Sequence, residues 1–572
     1  MVKIVIIILG LRFIHGGREA RMNQRFLKGA MILSLSMFLT KILGIIYVIP
    51  FKALVGSQGQ TLYSYAYTIY SLFISLSTLG IPVGMAKFVS KYQAQHEYDT
   101  ARRAFKYSVI GMIIFGFLGF LAMYHLAPIY VHHILNNAAS LLKTKAEQEA
   151  LLNDGPDIIH MIQVCSIALT VIPVMSIIRG FFQGNRNMAP TSISQLVEQI
   201  VRILIILGGS FFIIKVQHHS YQEAVSISVF AAFLAGIASL IVLLYFWYRE
   251  VPGYDQKLAE CPPHPKRKPS RLFIEILGCS IPFALLGLAT SLYQNIDTLH
   301  FHELLTKSGL AVKTQKVYYG MYITELAKMI MIPVSFALAF GQPLVPELTN
   351  YHQQKKNRAV ERTIRLALRL TLVITLPAVI GISLLADDVY LLLYPSTKSI
   401  NQLGGNLFAI GAWLGIFYAL YSIICSILQG LNLQRKGIYY LVFSLIIKYI
   451  SNFLFVPLFG INGFIYSTIL AYLSWIILSL LQIKKHSLLQ FNQILCDCFP
   501  ILCSSLVMGI AVSYLKHLLK TLSLGQKIQA LIELGSCALL GAIIYFATYY
   551  LFMLLSKTVR KNIKSNKTKV AR

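Results

Sequence analysis

The chain has 572 residues, of which 51 are Lys or Arg and 22 Asp or Glu, a formal net charge of +29. Only 13% of residues are charged and 56% are hydrophobic, against about 25% charged in a typical soluble domain; with a mean hydropathy of +0.65, too little polar surface exists to cover soluble domains, and the sequence reads as an integral membrane protein. A nucleic-acid partner is excluded because the basic residues fall in short stretches between apolar runs, and the eight Cys form neither a secreted disulfide framework nor a zinc spacing.

In chain order, residues 1–26 come first. The apolar run 2–11 is too short to span a bilayer and has no small-residue cleavage site, so it fits neither a transmembrane helix nor a signal peptide; Met22 is a candidate start, with 1–21 an extension. A bilayer core of about 30 Å takes roughly 20 apolar residues per helix. Fourteen stretches reach that length: 27–51, 61–86, 107–131, 158–182, 191–214 and 223–248, then 272–298, 317–345, 366–394, 405–430, 437–458, 461–483, 490–515 and 528–556. The polar, Pro-rich and basic stretch 249–271 between the two sets reads as a linker. Residues 557–572 form a basic tail. Lys and Arg concentrate in the loops on the side of both termini, which makes the termini and the linker cytoplasmic.

An internal repeat organises these spans. The fourth ends SIIRGFFQG (176–184) and the tenth SIICSILQG (422–430), and LGIP (79–82) at the end of the second is echoed by FGQP (340–343) in the eighth. Both offsets are six helices. An even offset sends both copies through the membrane in the same direction, a parallel repeat about an axis along the membrane normal. The expected fold is therefore all-α: fourteen transmembrane helices in two six-helix lobes, 27–248 and 272–483, with two further helices in 484–556. Transporters of this kind bind substrate near the midplane between the repeats. No G-x-x-x-x-G-K-[ST] stretch is present, so ATP hydrolysis by this chain is not expected to drive transport. No cofactor, metal site or catalytic residue is expected.

Basic residues inside the spans include Lys41, Arg179, Arg202, Lys328 and Lys448. A Lys or Arg at a helix centre costs about 2.5 to 3.5 kcal/mol on insertion scales, so such residues are functional candidates. Arg179 lies near a cytoplasmic end and is expected to snorkel. The other four lie roughly 16 to 21 Å into their helices at 1.5 Å per residue. Arg202 and Lys448 each follow the repeated Gln-Gly by the same distance, so they occupy matching places in the two lobes. Glu198, four residues before Arg202, has ion-pair spacing. Lys448 and Lys41 have no local acid, and Glu325 lies three residues before Lys328. Lys41, Arg202, Lys328 and Lys448 are expected to converge on an anionic headgroup, a phosphate or diphosphate. Glu198, Glu325, Asp297 and Asn295 are expected to support the site or couple an ion. The His pairs at 132–133, 218–219 and 300/302 read as solvated loop edges.

At SLSMFLTKILGIIYVIPF (34–51), GIPVGMAKFVSKY (80–92), RGFFQGNRNMAPTSISQLVEQIVRI (179–203) and KMIMIPVSFALAFGQPLVPEL (328–348), the chain resembles the MOP flippase superfamily. The resemblance is to its SpoVB/YtgP polysaccharide-exporter branch, related to the MurJ lipid II flippases. It implies a MATE/MOP-like fold, a central cationic cavity, and export of an undecaprenyl-diphosphate-linked sugar precursor across the bacterial cell membrane by a monomer with membrane lipids around it. Lys41, in Thr40-Lys41-Ile42-Leu43-Gly44, takes the place of a substrate-binding Arg, and Lys328 before Pro333 takes that of another; Tyr47 stands where a further Arg is usual. The last two helices are implied to form a groove for the polyprenyl tail. Two competing readings are a multidrug or sodium antiporter of the same superfamily, which needs an acid-rich cavity, and a membrane glycosyltransferase or polymerase, which needs a folded outer segment with acid and base groups.

Overall fold

The computed structural model describes residues 36, 39, 40, 43, 44 and 46–570, apart from 79–80, 96, 141–144, 186, 260–273, 275–277, 279, 283, 395–396, 488–489 and 521–524. Lys41 and the start-site question at Met22 lie outside the described residues. The first half contains α1 (Val48–Thr78), α2 (Ile81–Ala94), α3 (Tyr98–Ala139), α4 (Lys145–Leu152), α5 (Gly155–Ser166), α6 (Ile172–Gly184), α7 (Ala189–Phe211) and α8 (Tyr221–Ala259). The second contains α9 (Ala289–Lys307), α10 (Val312–Gly320), α11 (Ala327–Gln353), α12 (Asn357–Leu384), α13 (Ala386–Leu393), α14 (Lys398–Gly411), α15 (Leu414–Gly430), α16 (Gln434–Phe459) and α17 (Ile461–His486). Two more, α18 (Phe491–Leu519) and α19 (Gln526–Val570), follow. No strand occurs among the described residues.

Local chemistry sets many of these boundaries. Pro156, Pro173 and Pro190 open α5, α6 and α7 in the first turn, where a missing N–H costs no hydrogen bond. Gly460, at φ +57°, is the single residue separating α16 from α17, a turn that an L side chain disfavours. Gly56, at φ +70°, breaks α1 near its start, so the expected loop at 52–60 is a kinked helical passage. α3 runs well past the expected 107–131 because its polar first turns stay helical: Arg103 pairs with Asp99 at 2.7 Å and Arg102 with Asp255 of α8. That contact also explains why the first part of the expected linker, to Ala259, is helix.

Ten helical segments among the described residues are long and apolar enough to cross a membrane, where fourteen were expected. The expected spans 27–51, 61–86, 272–298 and 317–345 do not reach that standard. Much of the first and part of the third lie outside the described residues, and α1, α9, α10 and α11 carry the Ser, Thr, Tyr and charged residues that line the interior. Outward faces are apolar: Phe443, Ile446 and Ile450 of α16, Leu502, Leu506 and Ile510 of α18, and Leu531, Leu539 and Ile543 of α19 are exposed, as lipid-facing surfaces are. α18 and α19 pack on each other and on α12, where Arg365 pairs with Asp497 at 2.5 Å and Arg369 donates to the Tyr549 hydroxyl at 2.7 Å.

The Gln-Gly echo marks a repeated packing. A Cβ on Gly184 would lie 2.6 Å from the Cβ of Val89 in α2, and one on Gly430 would lie 2.7 Å from the Cβ of Leu348 in α11. The Ser90 hydroxyl donates to the Gly184 carbonyl at 2.9 Å, and the Thr349 hydroxyl to the Gly430 carbonyl at 3.1 Å. Each half thus closes one helix onto another at a glycine with a hydroxyl capping its carbonyl, the close approach that membrane helices make through small residues.

Candidate functional site at the junction of the two halves

α9 packs against α1 and α3 across the junction of the halves. Along this junction runs a row of polar contacts. The Thr61 hydroxyl donates to the Lys316 carbonyl at 2.8 Å, Ser64 bonds Thr324, Tyr65 bonds His302, and the Tyr130 hydroxyl donates to Asn295 Oδ1 at 3.0 Å. Asn295 in turn donates to the Ser291 carbonyl at 2.8 Å, so this expected supporting residue serves the seal between the halves. Lys316 pairs with Asp154 at 2.8 Å, and Lys52 with Glu325 at 2.6 Å. His302 is buried, which corrects its reading as a loop-edge residue; His132, His133, His218 and His219 are exposed as expected.

Beside this closed zone lies a cavity of about 450 Å³. Gly44, Tyr47, Tyr63 and Tyr67 line it from the first half with Gln199 and Arg202 of α7; Thr290, Ser291 and Asp297 of α9, Tyr322, Lys328, Tyr418 and Thr468 line it from the second. Among the described lining residues Arg202 and Lys328 are the cations and Asp297 the acid.

Three ionic arrangements set the charge around this space. Lys328 Nζ donates to the Gly44 carbonyl and the Tyr47 hydroxyl, both at 3.0 Å, and stands 4.4 Å from the Tyr47 ring centroid. An ammonium has three protons, so one donor is left over, and no carboxylate pairs with Lys328 among the described residues. Glu325, three residues before Lys328 in the sequence, pairs with Lys52 and not with Lys328. Met321–Leu326 forms a π-helical turn, whose extra residue destroys the i,i+3 register and sends Glu325 to Lys52 instead. Lys52, 7% exposed, also donates to the Tyr390 hydroxyl at 3.1 Å; it was not recognised in the sequence because it sits at an expected loop edge.

Arg202 bonds Glu198 at 2.6 Å, as their spacing anticipated. Arg179 joins them: it bonds Glu198 at 2.8 Å, Ser239 at 2.8 Å and Ser194 at 3.1 Å. The expectation that it snorkels is corrected, since a partner on α7 holds it in place. Two guanidiniums share one carboxylate, leaving a net charge of about +1, and the Arg202 Nε is buried with no hydrogen-bond partner among the described residues.

Lys448 is the largest departure. It is fully buried, and its Nζ lies 2.6 Å from Asp297 Oδ1, 2.7 Å from Thr468 Oγ1, 2.8 Å from Ser467 Oγ and 3.1 Å from the Phe464 carbonyl. Asp297 also accepts from Asn452 and the Tyr322 hydroxyl, both at 2.8 Å. The expectation of an uncompensated cation is corrected: the acid comes from α9, a helix that a search of Lys448's own helix cannot see. Arg202 and Lys328 therefore come together at one cavity, whereas Lys448 sits behind its wall with a closed set of partners.

Comparisons with known proteins converge on one group. A family model described as polysaccharide biosynthesis protein matches residues 26–352, and a second, MatE, matches 282–454. Lipid II flippase MurJ of Bacillus subtilis (strain 168) is 31% identical over 544 residues, covering 95% of this chain and 98% of that protein. Stage V sporulation protein B of the same organism is 23% identical over 447 residues, covering 77% and 80%. Among solved structures, lipid II flippase MurJ in an inward closed conformation superposes with a TM-score of 0.61 at 15% identity, covering 91% of this chain and 98% of that one. An inward-facing multidrug resistance MATE family transporter of the MOP superfamily has a TM-score of 0.61 at 14% identity, covering 80% and 98%.

Proposed function

The chain belongs to the polysaccharide biosynthesis protein family of the MOP superfamily, and from that premise we propose that it flips a polyprenyl-diphosphate-linked cell-wall or polysaccharide precursor from the cytoplasmic to the outer leaflet. The observation that carries the reading is the charge on the cavity. Lys328 contributes +1 and the Arg179–Glu198–Arg202 cluster a further +1, while Lys448–Asp297 and Lys52–Glu325 each cancel. Two positive charges facing a cavity lined by Ser, Thr and Tyr side chains suit a diphosphate, with Lys328 as a point charge and the Arg202 guanidinium as a planar donor. Holding such cations at membrane depth is costly unless water or an anion meets them.

The headgroup crosses in the cavity while the polyprenyl tail stays in the bilayer. Separating the polar row of the junction while the opposite side closes would deliver the headgroup outward. The basic loops and tail argue for cytoplasmic termini, and a proton or ion gradient or the membrane potential supplies the energy. A cation antiporter requires a carboxylate free to meet its cargo. Here the lining acid Asp297 is bound to Lys448, Asn452 and Tyr322, which argues against that reading. Depleting the protein and identifying the lipid intermediate that accumulates tests the proposal. A polyprenyl-diphosphate-linked saccharide is expected; accumulation of cationic drugs or sodium with lipid carriers unchanged would overturn it.

A further inference from the structure

The segment YSYAYTIY (63–70) places four tyrosines on α1. Tyr63, Tyr67 and Tyr70, at i, i+4 and i+7, share one face; Tyr65 points elsewhere and stacks on Tyr319 with centroids 3.9 Å apart, inside the closed junction. Tyr63 and Tyr70 are buried, but Tyr67 is 36% exposed and lines the cavity. Tyr63 backs its ring at 5.9 Å and 16°, and Tyr70 flanks it at 6.1 Å and 55°. Its hydroxyl has no hydrogen-bond partner among the described residues. Lys328 Nζ, with its spare donor, stands 6.0 Å from the Tyr67 centroid.

A rigidly backed aromatic face, open to water and ending in a free hydroxyl, suits a pyranose. The C–H face of the sugar gains dispersion contacts with the ring, and the phenol finds a hydroxyl partner that no described residue supplies. In a glycosyl diphosphate the first sugar is joined to phosphate through one glycosidic oxygen. A ring seated on Tyr67 therefore carries its phosphate toward Lys328.

We propose that Tyr67 is the platform for the first saccharide of the cargo, with Lys328 holding the adjoining phosphate. This rests on the diphosphate-lipid reading above and adds the group that distinguishes a glycosylated carrier from a bare one. The test titrates purified full-length protein with undecaprenyl diphosphate and with undecaprenyl-diphospho-N-acetylglucosamine, following bound lipid by native mass spectrometry. The wild type binds the glycosylated lipid more tightly. Tyr67→Leu weakens that binding about tenfold and leaves undecaprenyl diphosphate unchanged, whereas Tyr67→Phe, which keeps the ring, loses only a few-fold. Equal weakening of both lipids, or of neither, by Tyr67→Leu in protein that remains monodisperse overturns the platform while leaving the diphosphate reading standing. A wild-type protein that binds neither lipid overturns both.

Discussion

Lys328 and Lys448 look alike in sequence, each a lysine deep in an apolar stretch, yet they have opposite surroundings. Lys448 is enclosed with Asp297 at 2.6 Å and no exposure; removing one member of a buried pair strands the other and costs about 3 to 5 kcal/mol. Lys448→Met should lower the unfolding temperature in detergent sharply, and adding Asp297→Asn should recover most of the loss. No recovery in the double variant would mean that the pair is not what makes Lys448 structural. Lys328 has no acid partner among the described residues, so Lys328→Ala should change stability by no more than about 1 kcal/mol. The Glu198–Arg202 pair was legible because both residues lie on one helix at i,i+4. Lys448–Asp297 and Lys52–Glu325 were not, because each joins helices that only the fold brings together, and the π-helical turn at Met321–Leu326 defeats regular spacing where Glu325 and Lys328 meet.

Among the helices, α6 against α2 and α15 against α11 carry the repeat. The shared Gln-Gly was visible in the sequence, but its physical meaning, a glycine pressed against a neighbouring backbone, required the packing. Gly184→Ala would place a methyl 2.6 Å from Val89 Cβ and 2.9 Å from the Ala86 carbonyl, where neither is a flexible side-chain end. It should destabilise the protein by about 1 to 3 kcal/mol, read as a lower thermal midpoint; an unchanged midpoint would show that α2 and α6 separate easily. At the junction, Ser64 of α1 touches Thr324 of the π-helical turn. Ser64→Cys with Thr324→Cys should form a disulfide under mild oxidation and arrest transport, with recovery on reduction. Full transport by the crosslinked protein would exclude separation of the halves at this row. Signals for this row were faint in the sequence, since single Ser and Thr residues at scattered positions carry no periodic pattern.

For the molecule as a whole, the sequence's apolar stretches revealed a multi-pass helical protein with two related halves, and they were least informative for the helices that build the cavity. α1, α9, the π-helical turn Met321–Leu326 and α11 trade hydropathy for the polar atoms that line it, and ten candidate spans stand out among the described residues. The same trade puts Lys328 and Arg202 at one cavity, proposed above to carry a diphosphate headgroup across the bilayer. Purified protein in sealed vesicles, given a membrane potential but no ATP, should move a polyprenyl-diphosphate-linked saccharide between leaflets, measured as the fraction that becomes accessible to an enzyme added outside. The wild type and Lys328→Arg should translocate it well above protein-free vesicles, and Lys328→Ala should fall at least about tenfold, the loss expected when a charge-assisted contact worth 1.4 kcal/mol or more disappears. Translocation by Lys328→Ala at the wild-type rate would show that Lys328 does not hold the headgroup, and wild-type translocation at the rate of empty vesicles would show that the cavity does not carry it.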